Sequence, residues 1–185
     1  MRGLADRLLG PGAGPAETSL ALGSGVLAAL LLPLPALRPD VSWSPVQVAA
    51  AAVLAFDLFG GVVVNASTPA RRYYHRAGRK SSHHLGFVAL HSLHVAAVAW
   101  LFRDSDWGYA AGVSAWLLAC AALVVKAPPY LRRPVAMLSL AVALGVAPVA
   151  VPTAGLEWFV PVLFLKLLVC YLLGDLPPAP GRAGT

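Results

Sequence analysis

Six long apolar runs divide the chain, at residues 19–37, 45–65, 83–102, 107–125, 134–151 and 156–174. Each approaches the about 20 apolar residues that a helix needs to cross a bilayer. None alternates with period two, as a barrel strand must, and a lipid-facing segment has to satisfy its own backbone groups, so the runs predict helices. Gly, Pro, Asp or Arg punctuates every junction. Gly145 and Pro148 are expected to break the last turns of the fifth run. The expected fold is all-α: a polytopic integral membrane bundle of six transmembrane helices. Residues 19–174 form the membrane domain, between an N-terminal tail at 1–18 and a flexible Pro/Gly-rich tail at 175–185. The first run is read as a retained helix rather than a secretory signal, because Gly, Pro and Glu17 separate it from the basic start.

Composition agrees with this pattern. The chain of 185 residues is 58% hydrophobic and only 12% charged, with a mean hydropathy of +0.72. A soluble domain of this size has too little interior for so much apolar surface. The net charge of +6 does not imply nucleic acid, because no aromatic-basic stripe or soluble domain accompanies it. It sets orientation instead. With the N-terminus inside, one face carries Arg2, Arg7, Arg71, Arg72, Arg76, Arg79, Lys80, Lys126, Arg132, Arg133 and Arg182, and the other only Arg38 and Arg103. Eleven against two puts both termini in the cytoplasm. Trp43, Trp107 and Trp158 fall at the opposite ends of their helices, where an interfacial aromatic belt belongs. The richness in Ala, Gly, Pro and Arg points to a GC-rich bacterial genome and hence to the plasma membrane. Cys120 and Cys170 lie inside apolar runs and read as small hydrophobes.

The informative residues are those that lipid rejects, since an ionisable group in the apolar layer costs at least about 2.5 kcal/mol and therefore faces protein. Asp57 sits eight residues from the cytoplasmic end of the second run, about 12 Å deep, and shares a face with Gly60 and Gly61. Those glycines allow another helix to approach. His84, His91 and His94 form one stripe on the third run, with His91 about 11 Å deep. Lys166 lies eight residues from Gly174 in the sixth. Three helices thus bring Asp57, His91 and Lys166 to one depth, with His94 one turn further in. These four are the candidate catalytic residues. An ion pair that only fixes helix register is the plainer reading.

At the cytoplasmic rim, Asn65, Tyr74, His84, Arg71 and Arg72 are candidates for substrate binding, as a cationic mouth that gathers an anionic molecule. The same charges also suit anionic lipid headgroups. The five histidines fall between residues 75 and 94 and match neither HExxH nor a Cys/His pattern, so no metal or other cofactor is called for. Desolvated carboxyl, imidazole and amine groups exchange protons near neutrality. The first functional expectation is therefore a membrane-embedded enzyme that isomerises or cyclises a lipophilic, isoprenoid-like substrate by acid–base chemistry. A small proton-coupled transporter, expected as a homodimer, is the alternative. An accessory subunit of a membrane complex is the third.

Overall fold

The computed structural model describes residues 9–174, and among them there is no strand. The elements are α1 (Pro15–Leu31), α2 (Pro45–Ala66), α3 (Thr68–Tyr74), α4 (Ser81–Leu90), α5 (Ser92–Phe102), α6 (Trp107–Lys126), α7 (Pro129–Ala150) and α8 (Phe159–Phe164). A short 3₁₀ turn at Leu34–Leu37 follows α1, and a π-helical segment at Leu165–Tyr171 continues α8. The C-terminal tail expected at 175–185 and the start of the N-terminal one lie outside the described residues, as do Arg2, Arg7 and Arg182.

Five segments are long and apolar enough to cross a membrane: Pro15–Leu37, Pro45–Ala66, Ser81–Phe102, Trp107–Lys126 and Pro129–Ala150. The sixth apolar run folds differently. It gives a shorter helix at Phe159–Tyr171, six α-helical residues followed by seven in π geometry. This segment is buried rather than lipid-facing: Phe159, Leu163, Phe164, Leu167 and Leu168 are all enclosed. A helix with so much apolar surface belongs inside a bundle, and α2, α6 and α7 pack against it. The long segments expose Leu20, Leu30, Leu37, Leu93, Leu138 and Val149 on the outside. An apolar exterior of that extent suits hydrocarbon, not water.

Local chemistry sets the ends. Ser44 and Gln47 cap α2 reciprocally: the Gln47 N–H donates to Ser44 Oγ at 3.3 Å, and the Ser44 N–H to Gln47 Oε1 at 2.6 Å. Asp106 caps α6 by accepting the Tyr109 N–H at 2.8 Å. α7 starts at Pro129, five residues before the expected Pro134, and runs unbroken through Gly145 and Pro148 to Ala150. The expected break does not occur, because neighbouring helices and local adjustment tolerate an internal proline where water does not compete for the backbone. Trp107 stands exposed, but Trp43 and Trp158 turn inward onto Phe102 and Phe59, with ring centroids at 5.2 and 5.9 Å.

The third run is interrupted at His91, where α4 gives way to α5. The imidazole causes the interruption. His91 Nδ1 sits 2.9 Å from the Phe87 carbonyl, the acceptor that the His91 N–H takes in an unbroken helix. That N–H turns to the Val88 carbonyl at 3.0 Å, a 3₁₀ bond.

α1 packs on α2 through small residues. Ala21, Gly25 and Ala28 are its buried positions. A Cβ on Gly60 of α2 would lie 3.3 Å from the Ala21 carbonyl oxygen, and one on Gly25 would lie 2.9 Å from the Phe56 ring. Such close crossings need missing side chains.

Candidate functional site

Asp57 in α2 is the centre of a polar cluster inside the bundle. Lys166 Nζ donates to Asp57 Oδ2 at 2.6 Å and to the Asp57 backbone carbonyl at 3.2 Å. His94 Nε2 lies 3.0 Å from the same Oδ2. Both donors use one oxygen, so Oδ1 carries no hydrogen bond among the described residues. Lys166 is 4% exposed. Its side chain crosses the bare surface of Gly61, where an added Cβ would lie 2.3 Å from Lys166 Cε. Glycine at 61 leaves room for this path of the Lys166 side chain.

The two deep histidines stack on each other, with ring centroids 5.0 Å apart and planes 11° from parallel. A carbonyl only accepts, so His91 Nδ1 bears the proton that goes to Phe87, and Nε2 of the neutral ring is a bare acceptor. His94 gives Nε2 to Asp57, and its buried Nδ1 has no partner among the described residues.

These groups form one wall of a cavity of about 380 Å³. Its other walls are Ala21 and Leu22 of α1, Phe56, Gly60, Gly61 and Val64 of α2, and Phe87 and Leu90 of α4, with Asn65 and Tyr74 toward the basic end. Leu22, Phe56 and Leu90 are 51%, 40% and 59% exposed, so the mouth opens sideways, between α1, α2 and α4, onto the apolar exterior. A mostly apolar pocket with a few convergent polar groups is the usual form of a small-molecule site.

The remaining residues singled out from sequence divide. Asn65 lines the cavity, and its Nδ2 is 3.5 Å from the Lys166 carbonyl oxygen. Tyr74 lines it too, near Phe87 and Tyr171 at 6.1 and 5.6 Å between ring centroids. His84 does not join the Asp57 cluster. It meets the Tyr171 hydroxyl at 3.2 Å and stacks on His75 at 4.7 Å. Arg71 donates to the Gly174 carbonyl at 3.0 Å, which ties α3 to the end of the π segment. Arg72 is exposed, and neither arginine lines the cavity.

Tyr171 was not anticipated. It touches Tyr74, Phe87, His75 and His84, behind the cavity wall that Tyr74 and Phe87 form. On an ideal α-helix it stands about 140° from Lys166, since five residues advance 500°. The π geometry, marked by the Leu172 N–H bonded to the Leu167 carbonyl at 3.0 Å, brings the two closer to one face. Among the described residues no group of three His, Cys, Asp or Glu side chains has the arrangement of a metal site. No protein-family profile, curated protein or solved structure matches the chain.

Proposed function

We propose that the chain is a multi-pass plasma-membrane enzyme, of bacterial origin, that moves protons on a lipophilic, isoprenoid-like substrate. In this reading the basic end of the bundle faces the cytoplasm. One observation carries it: the sideways-opening cavity of about 380 Å³, mostly apolar, into whose wall Asp57, Lys166, His91 and His94 converge. An occupant from the acyl layer reaches that wall without crossing water.

The chemistry follows from the hydrogen bonds. Transfer of one proton along the 2.6 Å Lys166–Asp57 contact converts the ion pair into a neutral acid and amine. That exchange is inexpensive where charges are poorly solvated. Asp57 then donates its proton to one end of a carbon–carbon double bond. His91 Nε2, fixed as acceptor by the Phe87 carbonyl, removes a proton from the neighbouring carbon. The double bond shifts, and the proton count of the substrate is unchanged. His94 holds the Asp57 carboxylate through Nε2, and return of the proton from His91 to Asp57 closes the cycle. General acid–base groups of this kind supply about 10²–10⁴-fold each.

The test is solvent isotope uptake. Protein in nanodiscs is incubated in heavy water with farnesol, and the recovered prenyl alcohol is weighed by mass spectrometry. Deuterium incorporation should fall at least 100-fold in Asp57→Asn. Equal incorporation by wild type and variant ends the enzyme reading. The two donors that share Asp57 Oδ2 also suit a carrier that swaps partners between conformations. In that case reconstituted vesicles show substrate-dependent proton flux that Asp57→Asn abolishes, and no deuterium enters carbon. A subunit without chemistry of its own shows neither and co-purifies with a larger complex.

A further inference from the structure

A second cavity, of about 210 Å³, lies at the basic end, among the start of α4, the end of α6, the start of α7 and Leu172. It is lined by His75, Arg79, Ser81, His84 and Arg132, with Val124, Val125 and Leu172 as its floor. Its volume is far above the about 10–15 Å³ that one water needs. Apart from the serine, every polar side chain on its wall is basic or imidazole. Arg132 is half-buried and anchored: Nε donates to the Ala127 carbonyl at 3.1 Å and Nη2 to the Val125 carbonyl at 3.4 Å. Those bonds hold the guanidinium rigid and leave Nη1 without a partner among the described residues. Arg79 makes no side-chain hydrogen bond among the described residues, although its backbone N–H is held by the Arg76 carbonyl at 3.2 Å. The stacked rings of His75 and His84 form a flat wall with planes 16° from parallel, braced by Tyr171. Ser81 opens α4, a helix of ten residues, and adds a hydroxyl beside the positive end of its dipole.

Two guanidiniums of which one is preset, a hydroxyl, a helix N-terminus and no carboxylate make a receptor for a compact anion. Arginine is the side chain that matches phosphate oxygens with paired donors. We propose that this cavity binds a phosphate group, as a phosphomonoester or diphosphate. The site is separate from the Asp57 cavity and does not depend on the reading given to that cavity. A smaller cavity, of about 130 Å³ and lined by Tyr74, Arg79, His83, His84, Phe87 and Tyr171, lies between the two and shares residues with each. The phosphate can belong to a lipid headgroup or to a water-soluble molecule.

The test uses the full chain in phosphatidylcholine nanodiscs. Inorganic pyrophosphate is titrated in by calorimetry. In a second arm, phosphatidic acid is added to the bilayer, and lipid retained by the protein is counted by native mass spectrometry. Arg79→Gln and Arg132→Gln should each weaken binding at least tenfold in whichever arm shows it. Lys126→Gln removes an exposed charge at the same end, outside the cavity, and should change binding less than twofold. Arg79→Gln guards against misfolding of Arg132→Gln, because Arg79 holds no helix end. Saturable pyrophosphate binding identifies a soluble phosphate, and retained phosphatidic acid alone identifies a headgroup. Absence of binding in both arms overturns the proposal, as does a loss in Lys126→Gln equal to that in the cavity variants.

Discussion

At the residue scale the structure depends on a balance around Asp57. Lys166 is an ammonium enclosed by apolar neighbours, and its partner is a carboxylate whose side chain is 45% exposed to the cavity. Removal of the carboxylate leaves a buried charge with no counterion. Asp57→Ala should therefore destabilise the protein by about 3 kcal/mol, the low end for a broken buried pair because Asp57 is only partly enclosed. The double variant Asp57→Leu with Lys166→Met should recover most of that loss, since replacing both charges with apolar groups is often neutral. Unfolding titrations in mixed micelles measure both. Equal stability of the single and double variants would show that the pair contributes little. Gly61→Ala tests the same contact from its other side. A methyl there occupies the path of Lys166 and should cost about 1–3 kcal/mol, and the cost should shrink when Lys166 is also Met. Helix counting from the sequence brought Asp57 and Lys166 to one depth, and Gly61 was visible as a neighbour of Asp57. That Lys166 lies across the glycine, and that both donors choose one carboxylate oxygen, depends on rotamers that spacing does not encode.

At the element scale, the long apolar helices were readable because a bilayer-length run permits little else. The irregular parts were not. The break at His91 arises when a side chain competes for its own helix's carbonyl, and the 3.6-residue period that placed His84, His91 and His94 on one stripe assumes that no such competition occurs. His84, two turns before the break, lies beside the Tyr171 hydroxyl at the rim. His91→Ala should let the Phe87 carbonyl accept the residue-91 N–H. Slower hydrogen exchange at that amide would show one continuous helix from Ser81 to Phe102, and unchanged exchange would place the cause elsewhere. The cap of α6 has a pH signature. The Tyr109 N–H, and after it Arg103, holds the Asp106 carboxyl below its ordinary value of 3.8. A lowered pKa contributes stability above the unfolded value that is lost as pH falls through the folded one. Asp106→Ala should thus lower the melting temperature at neutral pH, and the gap from wild type should close below about pH 3.8.

At the scale of the whole molecule, charge placement predicts the orientation of the bundle. Thiol labelling of intact cells checks it: a cysteine from Ser81→Cys should react only after permeabilisation, and one from Ser105→Cys before it. The reverse pattern inverts the topology. The sixth run shows where hydropathy alone stops. It is as apolar as the others, but its residues are enclosed by protein rather than by lipid, and a one-dimensional profile does not distinguish the two. The position of the cavity mouth between Leu22, Phe56 and Leu90 has a further consequence. A guest that comes through that opening is drawn from a two-dimensional reservoir, so occupancy follows its mole fraction among the lipids and not its concentration in the buffer. Diluting the protein into more bilayer at a fixed total amount of guest should then empty the site, while adding buffer leaves it filled.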